Sequence, residues 1–178
     1  MRIIVINGAG GVGKDLFVAF CASILGPDKV KNYSTVDYVK AVAAFIGWDG
    51  TKDNKSRKFL SDLKDALTKW DDIPYRRTRI EIEDFDEKMN KMGGKYAENG
   101  VMFIHCREPQ EIQRFKDEFG ATTLLIRREL AEEKNWQNHA DQNVLNYQYD
   151  CVVSNNGTLE DLRHQAEYFL RKCLGLDI

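Results

Sequence analysis

The stretch RIIVINGAGGVGKD, residues 2–15, decides the fold. Its first part, Arg2–Asn7, is a short β-branched run that predicts a strand buried on both faces of a parallel sheet. The run stops at a glycine cluster, and apolar residues at helical spacing follow from Lys14 onward. A strand, a glycine-rich turn and a helix in this order form the structural setting of a phosphate-binding loop.

Residues 8–14 match two glycine patterns that imply different ligands. As G-x-x-x-x-G-K, backbone N–H groups would wrap a phosphate and Lys14 would reach the phosphate that is transferred. As G-x-G-x-x-G, the loop would hold a dinucleotide pyrophosphate, with an acidic residue about 20 positions further on. The phosphate cradle is favoured, because Lys14 has no role in a dinucleotide site and the second predicted strand ends at Tyr33 and Ser34 without an acid. The predicted ATP-binding residues of the loop are Gly8, Ala9, Gly10, Gly11, Val12, Gly13, Lys14 and Asp15.

The rest of the chain alternates between apolar runs and amphipathic segments. Further strands are predicted at residues 30–34, 101–106, 121–126 and 151–154. Helices are predicted at residues 14–25, 36–46, 59–70, 112–119 and 158–173, with another that begins at Asp72, before Pro74. This alternation predicts an α/β fold with about five strands in a mainly parallel sheet and helices on both faces.

Composition and charge exclude several classes of protein. The 178 residues predict a single domain over residues 1–178. The 26 Lys and Arg against 28 Asp and Glu give a formal net charge of −2, which argues against bulk attraction to nucleic acid or to anionic lipid. No apolar run approaches the ~20 residues that cross a bilayer, and the four cysteines and three histidines lack zinc-site spacing. We therefore expect a cytoplasmic protein that binds neither membranes nor nucleic acid.

Asp15 narrows the class of phosphate-binding protein. Ser or Thr usually follows the loop lysine and offers its hydroxyl to Mg²⁺, whereas a carboxylate would repel phosphates unless a metal ion or its bound water lies between them. With this Gly-Lys-Asp form, the chain resembles the deoxynucleoside monophosphate kinase family of bacteria and phages, within the nucleoside monophosphate kinase-like branch of P-loop proteins. The resemblance covers most of the chain, and its further motifs fall in the expected order: residues 33–37 with Lys40, residues 52–53 with Arg57, residues 106–109 with Glu111, and residues 149–159.

The resemblance implies a P-loop sandwich of three layers that transfers the γ-phosphoryl group of ATP to a (deoxy)nucleoside monophosphate. It implies Mg²⁺ as cofactor, bound by Asp15 directly or through water, and a monomer or homodimer that contains an acceptor-binding helical region at residues 34–98. A lid-like insertion at residues 127–149 is expected to close over the phosphates and exclude water. The residues expected to act in catalysis are Lys14, Arg127 and Arg128; those beside the ATP base are Asn155 and Asn156; those at the acceptor are Ser34, Thr35, Asp37, Arg57 and Arg107.

One feature departs from the expected metal site. The strand predicted at residues 101–106 ends without the aspartate that commonly supplies the second metal anchor, and Glu108 is the candidate replacement. His105 is interpreted as a hydrogen-bonded core residue, because transfer to a phosphate acceptor needs no strong base. Arg76, Arg77 and Arg79 are interpreted as a charged helix face, because acidic residues follow them.

Three alternatives stay open. A kinase of another phosphorylated small molecule is one, since phosphomevalonate kinases of the animal type share Gly-Lys-Asp. A regulator that holds ATP without transferring its phosphate is the second, suggested by the missing aspartate. An oxidoreductase that binds a dinucleotide is the third.

Overall fold

The computed structural model describes residues 1–94, 98–135 and 143–178. Its strands form one five-stranded sheet in the order β2-β3-β1-β4-β5, and every neighbouring pair is parallel. The strands are β1 Arg2–Asn7, β2 Val30–Ser34, β3 Val101–His105, β4 Thr122–Arg127 and β5 Cys151–Ser154. The predicted fold class is confirmed.

Helices connect the strands and cover both faces of the sheet. They are α1 Lys14–Leu25, α2 Asp37–Phe45, α3 Asn54–Asp71, α4 Ile73–Met92, α5 Pro109–Phe119, α6 Glu129–Asn135 and α7 Leu159–Tyr168. The predicted helix at residues 158–173 is correct up to Tyr168, after which the chain continues as a π-helix over Phe169–Cys173. Thr158 caps α7 through a capping box with Asp161, which explains why this helix begins where the sequence predicted.

Two apolar cores lie on opposite faces of the sheet. On the first face, Ile4 and Ile6 of β1 pack with α1 and α7 around an aromatic group of Phe17, Phe103 and Phe169. On the second face, Val5 packs with residues of α4 and α5. Because side chains alternate along a strand, β1 is buried on both faces.

In two helices, the spacing of apolar residues predicts more burial than the structure shows. In α1, Phe17 is fully buried, whereas Leu16, which the pattern predicts as packed, is 38% exposed. In α3, no residue is fully buried and Trp70 is 83% exposed. The reason is that α3 lies outside the sheet layers and packs against α2 and α4, so its apolar stripe is only half covered.

The strand order places a ligand crevice beside β1. The chain passes from β1 to the edge strand β2, returns to β3 next to β1, and then crosses to β4 on the other side. In open parallel sheets, ligands bind outside the carboxyl ends of the strands at such a reversal. The glycine loop follows β1 at this edge. No helix among the described residues has the length and apolar character needed to cross a membrane.

Candidate functional site

Two glycines of the loop are required by close packing. Gly8 has φ +146°, and a Cβ there would lie 2.4 Å from the carbonyl oxygen of Ile126 at the end of β4. Gly13 has φ +98°, and its Cβ would lie 2.5 Å from Nδ2 of Asn155, just after β5. The loop is therefore pressed against the β4 backbone at Gly8 and against the Asn155 side chain at Gly13, so a side chain at Gly8 would push the loop away and one at Gly13 would displace Asn155.

Buried asparagines hold the loop at both ends. Oδ1 of Asn7 accepts a hydrogen bond from Gly8 N–H at 2.8 Å, and its Nδ2 donates to the hydroxyl of Tyr149 at 2.7 Å. Nδ2 of Asn155 donates to the carbonyl oxygen of Val12 at 2.8 Å. Both asparagine side chains are buried, so these bonds are shielded from water and fix the loop firmly.

Lys14 lies across the mouth of the loop. Its Nζ donates to the carbonyl oxygens of Gly8 at 2.8 Å and Ala9 at 2.9 Å. Helix α1 begins at Lys14, and its N-cap, Gly13, provides no side-chain cap to the first-turn N–H groups. Uncapped N–H groups, the helix dipole and an ammonium group converge here, which is the arrangement that binds phosphate.

Asp15 stands beside the loop in a small polar cluster. Its carboxylate is 88% exposed, accepts a hydrogen bond from Nδ2 of Asn32 at 3.3 Å, and lies 3.6 Å from Nε2 of His105. Nε2 of His105 is 2.7 Å from Oδ1 of Asn32. Asn32 was not among the residues expected from the sequence, and it links Asp15 on α1 to His105 on β3.

Burial of the imidazole lowers the pKa of His105 to about 4. The carboxylate of Asp15 opposes this change, and the ammonium group of Lys14 adds to it. His105 is therefore neutral at pH 7 and bonds to Asn32 as a neutral ring. The prediction that His105 is hydrogen-bonded is confirmed.

This pKa predicts how stability depends on pH when no nucleotide or divalent cation is bound. The folded chain keeps His105 neutral down to about pH 4, whereas the unfolded chain protonates it near pH 6.5, so the unfolded state binds more protons between these values. The free energy of unfolding should therefore fall as pH falls through this window, and His105 should account for about 2 kcal/mol between pH 7 and pH 4.5. Urea unfolding of the wild type and of His105→Gln at both pH values measures this contribution. Equal pH dependence of the two proteins would contradict the prediction.

The residues predicted for the acceptor after β2 form a tight turn. Oδ2 of Asp37 accepts a hydrogen bond from Ser34 N–H at 2.9 Å, and Oδ1 pairs with Lys40 at 2.9 Å. Thr35 is buried, and its hydroxyl donates to the carbonyl oxygen of His105 at 3.4 Å. Asp37 and Thr35 therefore shape the start of α2, and the half-buried Ser34 lies at the edge of the crevice.

The predicted arginines lie in different settings. Arg127 ends β4, and its guanidinium makes two bonds with Glu132 at 3.1 and 2.7 Å. Arg128 is exposed at the start of α6 and makes no ion pair within the described ranges of the chain. Arg107 is exposed just after β3, and Arg57 is exposed in the first turn of α3. The structure therefore brings Arg107, Arg127 and Arg128 to the carboxyl edge that holds the loop.

The predicted insertion at residues 127–149 is described at its flanks, and residues 136–142 lie outside the described residues. Val144 is buried, and its carbonyl oxygen accepts a hydrogen bond from the hydroxyl of Tyr149. Oδ1 of Asn156 accepts from Glu129 N–H at 3.0 Å and so caps α6. Asn155 and Asn156, predicted beside the ATP base, thus hold the glycine loop and α6 respectively.

The carboxylate of Asp15 is the group beside the loop that could hold Mg²⁺ together with ligand phosphates and water. Within the described part of the chain, no three His, Cys, Asp or Glu side chains come together as a metal site. Mg²⁺ commonly uses one or two carboxylates, substrate phosphates and water, so the exposed carboxylate of Asp15 next to the loop suits it. Glu108, the candidate second anchor, is exposed at the N-cap of α5.

The fold and the loop together define an α/β protein with a P-loop. Over nearly its whole length the chain is similar to TT1252 from Thermus thermophilus, with a TM-score of 0.53 and 18% identity over 96% of this chain and 97% of that chain. It is also similar to the shikimate kinase from Aquifex aeolicus, with a TM-score of 0.49 and 16% identity over 99% and 100% of the two chains. No family model and no curated protein matches the sequence. At 18% identity, the similarity to TT1252 supports the fold alone.

Proposed function

We propose that the protein transfers the γ-phosphoryl group of ATP to a nucleoside monophosphate and so forms the diphosphate. The observation that carries this proposal is the glycine loop itself, in which Lys14 Nζ lies 2.8 and 2.9 Å from two loop carbonyl oxygens at the uncapped start of α1. The loop lies at the edge of the sheet where parallel α/β proteins bind their ligands.

The residues of the loop would act mainly by electrostatics. Loop N–H groups bind phosphate oxygens, and Lys14 exchanges its bonds with Gly8 and Ala9 for bonds to the phosphate that is transferred. Asp15 is the residue that would hold Mg²⁺, which supplies neutralisation of phosphate charge when bound. Arg107 and Arg128, which follow strands on either side of β1, are positioned to hold further negative charge.

A phosphorylated acceptor agrees with the groups around the loop. A hydroxyl acceptor has a proton that a general base must remove, whereas a phosphate acceptor is already ionised at neutral pH. His105 is neutral at pH 7 but already bonded to Asn32. Asp37 already binds Lys40 and the Ser34 N–H. Both groups therefore already have partners within the protein, which supports an acceptor that needs no general base.

A second candidate is a regulator that binds ATP without transferring its phosphate. The observation in its favour is that β3 ends at His105, where an acidic metal anchor would otherwise stand. A kinase of another phosphorylated small molecule would use the same loop, and the identity of its acceptor separates it from the main proposal.

A coupled assay of ADP release tests the proposal. ATP and Mg²⁺ are supplied with each ribo- and deoxynucleoside monophosphate, with phosphomevalonate, and with shikimate as an acceptor that has no phosphate. Release that depends on one nucleoside monophosphate supports the proposal and names the acceptor. Release only with phosphomevalonate or shikimate would replace the acceptor class, and ATP binding without release on any acceptor would favour the regulator.

A further inference from the structure

Three arginines of α4 differ in their partners. Arg76 pairs with Asp71, and Arg79 pairs with Glu118 at 3.0 Å and Glu83 at 3.7 Å. These two fit the charged helix face predicted from the sequence. Arg77 does not, because its Nε is buried without a hydrogen-bond partner, and its guanidinium forms no ion pair in the part of the chain that the structure describes.

Two carboxylates that could pair with Arg77 bind lysines instead. Glu81 lies one helical turn after Arg77 and would be its natural partner, but its Oε2 is 2.6 Å from Nζ of Lys31. Asp37 binds Nζ of Lys40 at 2.9 Å and the Ser34 N–H at 2.9 Å. Glu81, on the same helix, and Asp37, which precedes Tyr38 in the chain, are thus each already paired with a lysine.

Tyrosine side chains shape the space around this guanidinium. Its Cζ lies 4.8 Å from the centre of the Tyr38 ring, in the first turn of α2. Tyr33 of β2 also feels the charge of Arg77, and burial raises the pKa of Tyr33 to about 12, so it is neutral at pH 7. An aromatic ring over the face of a guanidinium leaves its N–H edge available for an anion.

We propose that Arg77 binds the phosphate group of the acceptor nucleotide, with Tyr38 as the residue that positions the guanidinium. This inference rests on the proposed function and adds a residue that the sequence assigned to a solvated face. Nε of Arg77 is buried without a hydrogen-bond partner, and burying a polar group is costly unless it is hydrogen-bonded. A phosphate supplies both the opposite charge and two oxygens for the guanidinium fork, whereas a single base carbonyl would leave the charge unbalanced. Arg77 lies near the turn after β2, because its guanidinium contacts the ring of Tyr38 and Tyr38 directly follows Asp37, which accepts a hydrogen bond from Ser34 N–H.

Equilibrium binding of the ribo- and deoxynucleoside monophosphates and of their nucleosides, without ATP, tests this inference directly. For the monophosphate that the wild type binds best, Arg77→Met should raise Kd by about 10- to 100-fold, the loss expected for hydrogen bonds to a charged group. Affinity for the matching nucleoside should change less than about twofold, because the nucleoside has no phosphate to lose. Arg76→Met is the matched control, since Arg76 is the neighbouring residue and pairs with Asp71, and it should leave both affinities unchanged.

Arg77→Lys is a second variant for the case in which Arg77→Met fails to fold, because lysine keeps the positive charge and an aliphatic stem. It should unfold at the wild-type temperature and still raise Kd for the monophosphate by about tenfold, because an ammonium cannot form the bidentate contact. In the ADP-release assay, both Arg77 variants should raise KM for the monophosphate and leave KM for ATP unchanged.

The outcomes separate this inference from the proposed function. Wild-type affinity for the monophosphate in both Arg77 variants would overturn the role of Arg77, even if the wild type is an active kinase. An equal loss of nucleoside affinity would place Arg77 at the base or sugar and overturn the phosphate assignment. Failure of the wild type to bind any of the ribo- or deoxynucleoside monophosphates would overturn it too. Phosphate-dependent binding without ADP release would support Arg77 and contradict the kinase.

Discussion

Replacing Lys14 by alanine is expected to lower kcat by about 10²- to 10³-fold, the usual effect of removing one group that stabilises charge in the transition state. The Nζ group lies over the loop at 2.8 and 2.9 Å from the Gly8 and Ala9 carbonyl oxygens, from which a short movement would bring it to a bound phosphate. The coupled ADP-release assay, with the acceptor found for the wild type, measures the effect.

Stability should change little in this variant. Lys14 is half-buried, and water can replace its ammonium group at the two loop carbonyl oxygens, so the expected loss is about 1 kcal/mol or less. Lys172→Ala, at an exposed position near the C-terminus, is the control for loss of a positive charge. A Lys14→Ala protein that folds and retains more than a tenth of wild-type kcat would contradict the proposed role.

The ion pair between Arg127 and Glu132 affects whether Arg127 can contact phosphate together with Lys14. Its guanidinium is bound to Glu132, so it must exchange this partner to contact phosphate. The Arg127 side chain is 44% exposed and that of Glu132 is 14% exposed, so the pair is partly buried and contributes about 1–3 kcal/mol. A nucleotide triphosphate carries several negative charges against the single charge of Glu132, so it can compete for the Arg127 guanidinium in the predicted catalytic role.

The sequence predicts β1 and its loop well because their requirements are local. A β-branched run buried on both faces must lie inside a parallel sheet, and glycines are needed where the chain turns from strand to helix. Both features can be recognised without knowing the neighbours of β1. The positions of Lys14 and Asp15 follow from the same local pattern, since they open α1.

The cluster beside Asp15 could not be predicted in the same way. Asn32 and His105 meet because β2 pairs with β3 in a register that sets Ser34 opposite His105. That register depends on strand order, and the two residues are 73 positions apart in the chain. Likewise, Asn155 holds Val12 across 143 positions. A single sequence contains no signal for contacts of this kind.

The surroundings of Arg77 could not be predicted from the sequence either, although Arg77 lies on a helix. Helical spacing places Arg76, Arg77 and Arg79 near one another, and nothing in the sequence distinguishes them. Their difference arises from packing, because Tyr38 of α2 covers the face of Arg77, while acids of α3 and α5 meet the other two.

Gly8→Ala should be the most damaging substitution in the loop. Its new Cβ would lie 2.4 Å from the Ile126 carbonyl oxygen and 2.8 Å from Cγ2 of Val12. Since a strand backbone cannot yield as a flexible side chain can, the loop must move away from β4. We expect a loss of about 3 kcal/mol in the free energy of unfolding, from a strained positive φ and overpacking together, and at least a tenfold loss of ATP affinity.

Gly26→Ala separates the effect of backbone strain from the effect of overpacking. Gly26 also has a positive φ, +101°, but no heavy atom lies within 4 Å of its Cβ position. Gly26→Ala should therefore lose only about 1 kcal/mol in the free energy of unfolding, from backbone strain alone, and its affinity for ATP should be unchanged. Urea unfolding and ATP titration of both variants make the comparison. Equal losses of stability in the two variants would mean that contact with β4 does not shape the loop. Normal ATP affinity in Gly8→Ala would mean that phosphate binding does not depend on the position of the loop against β4.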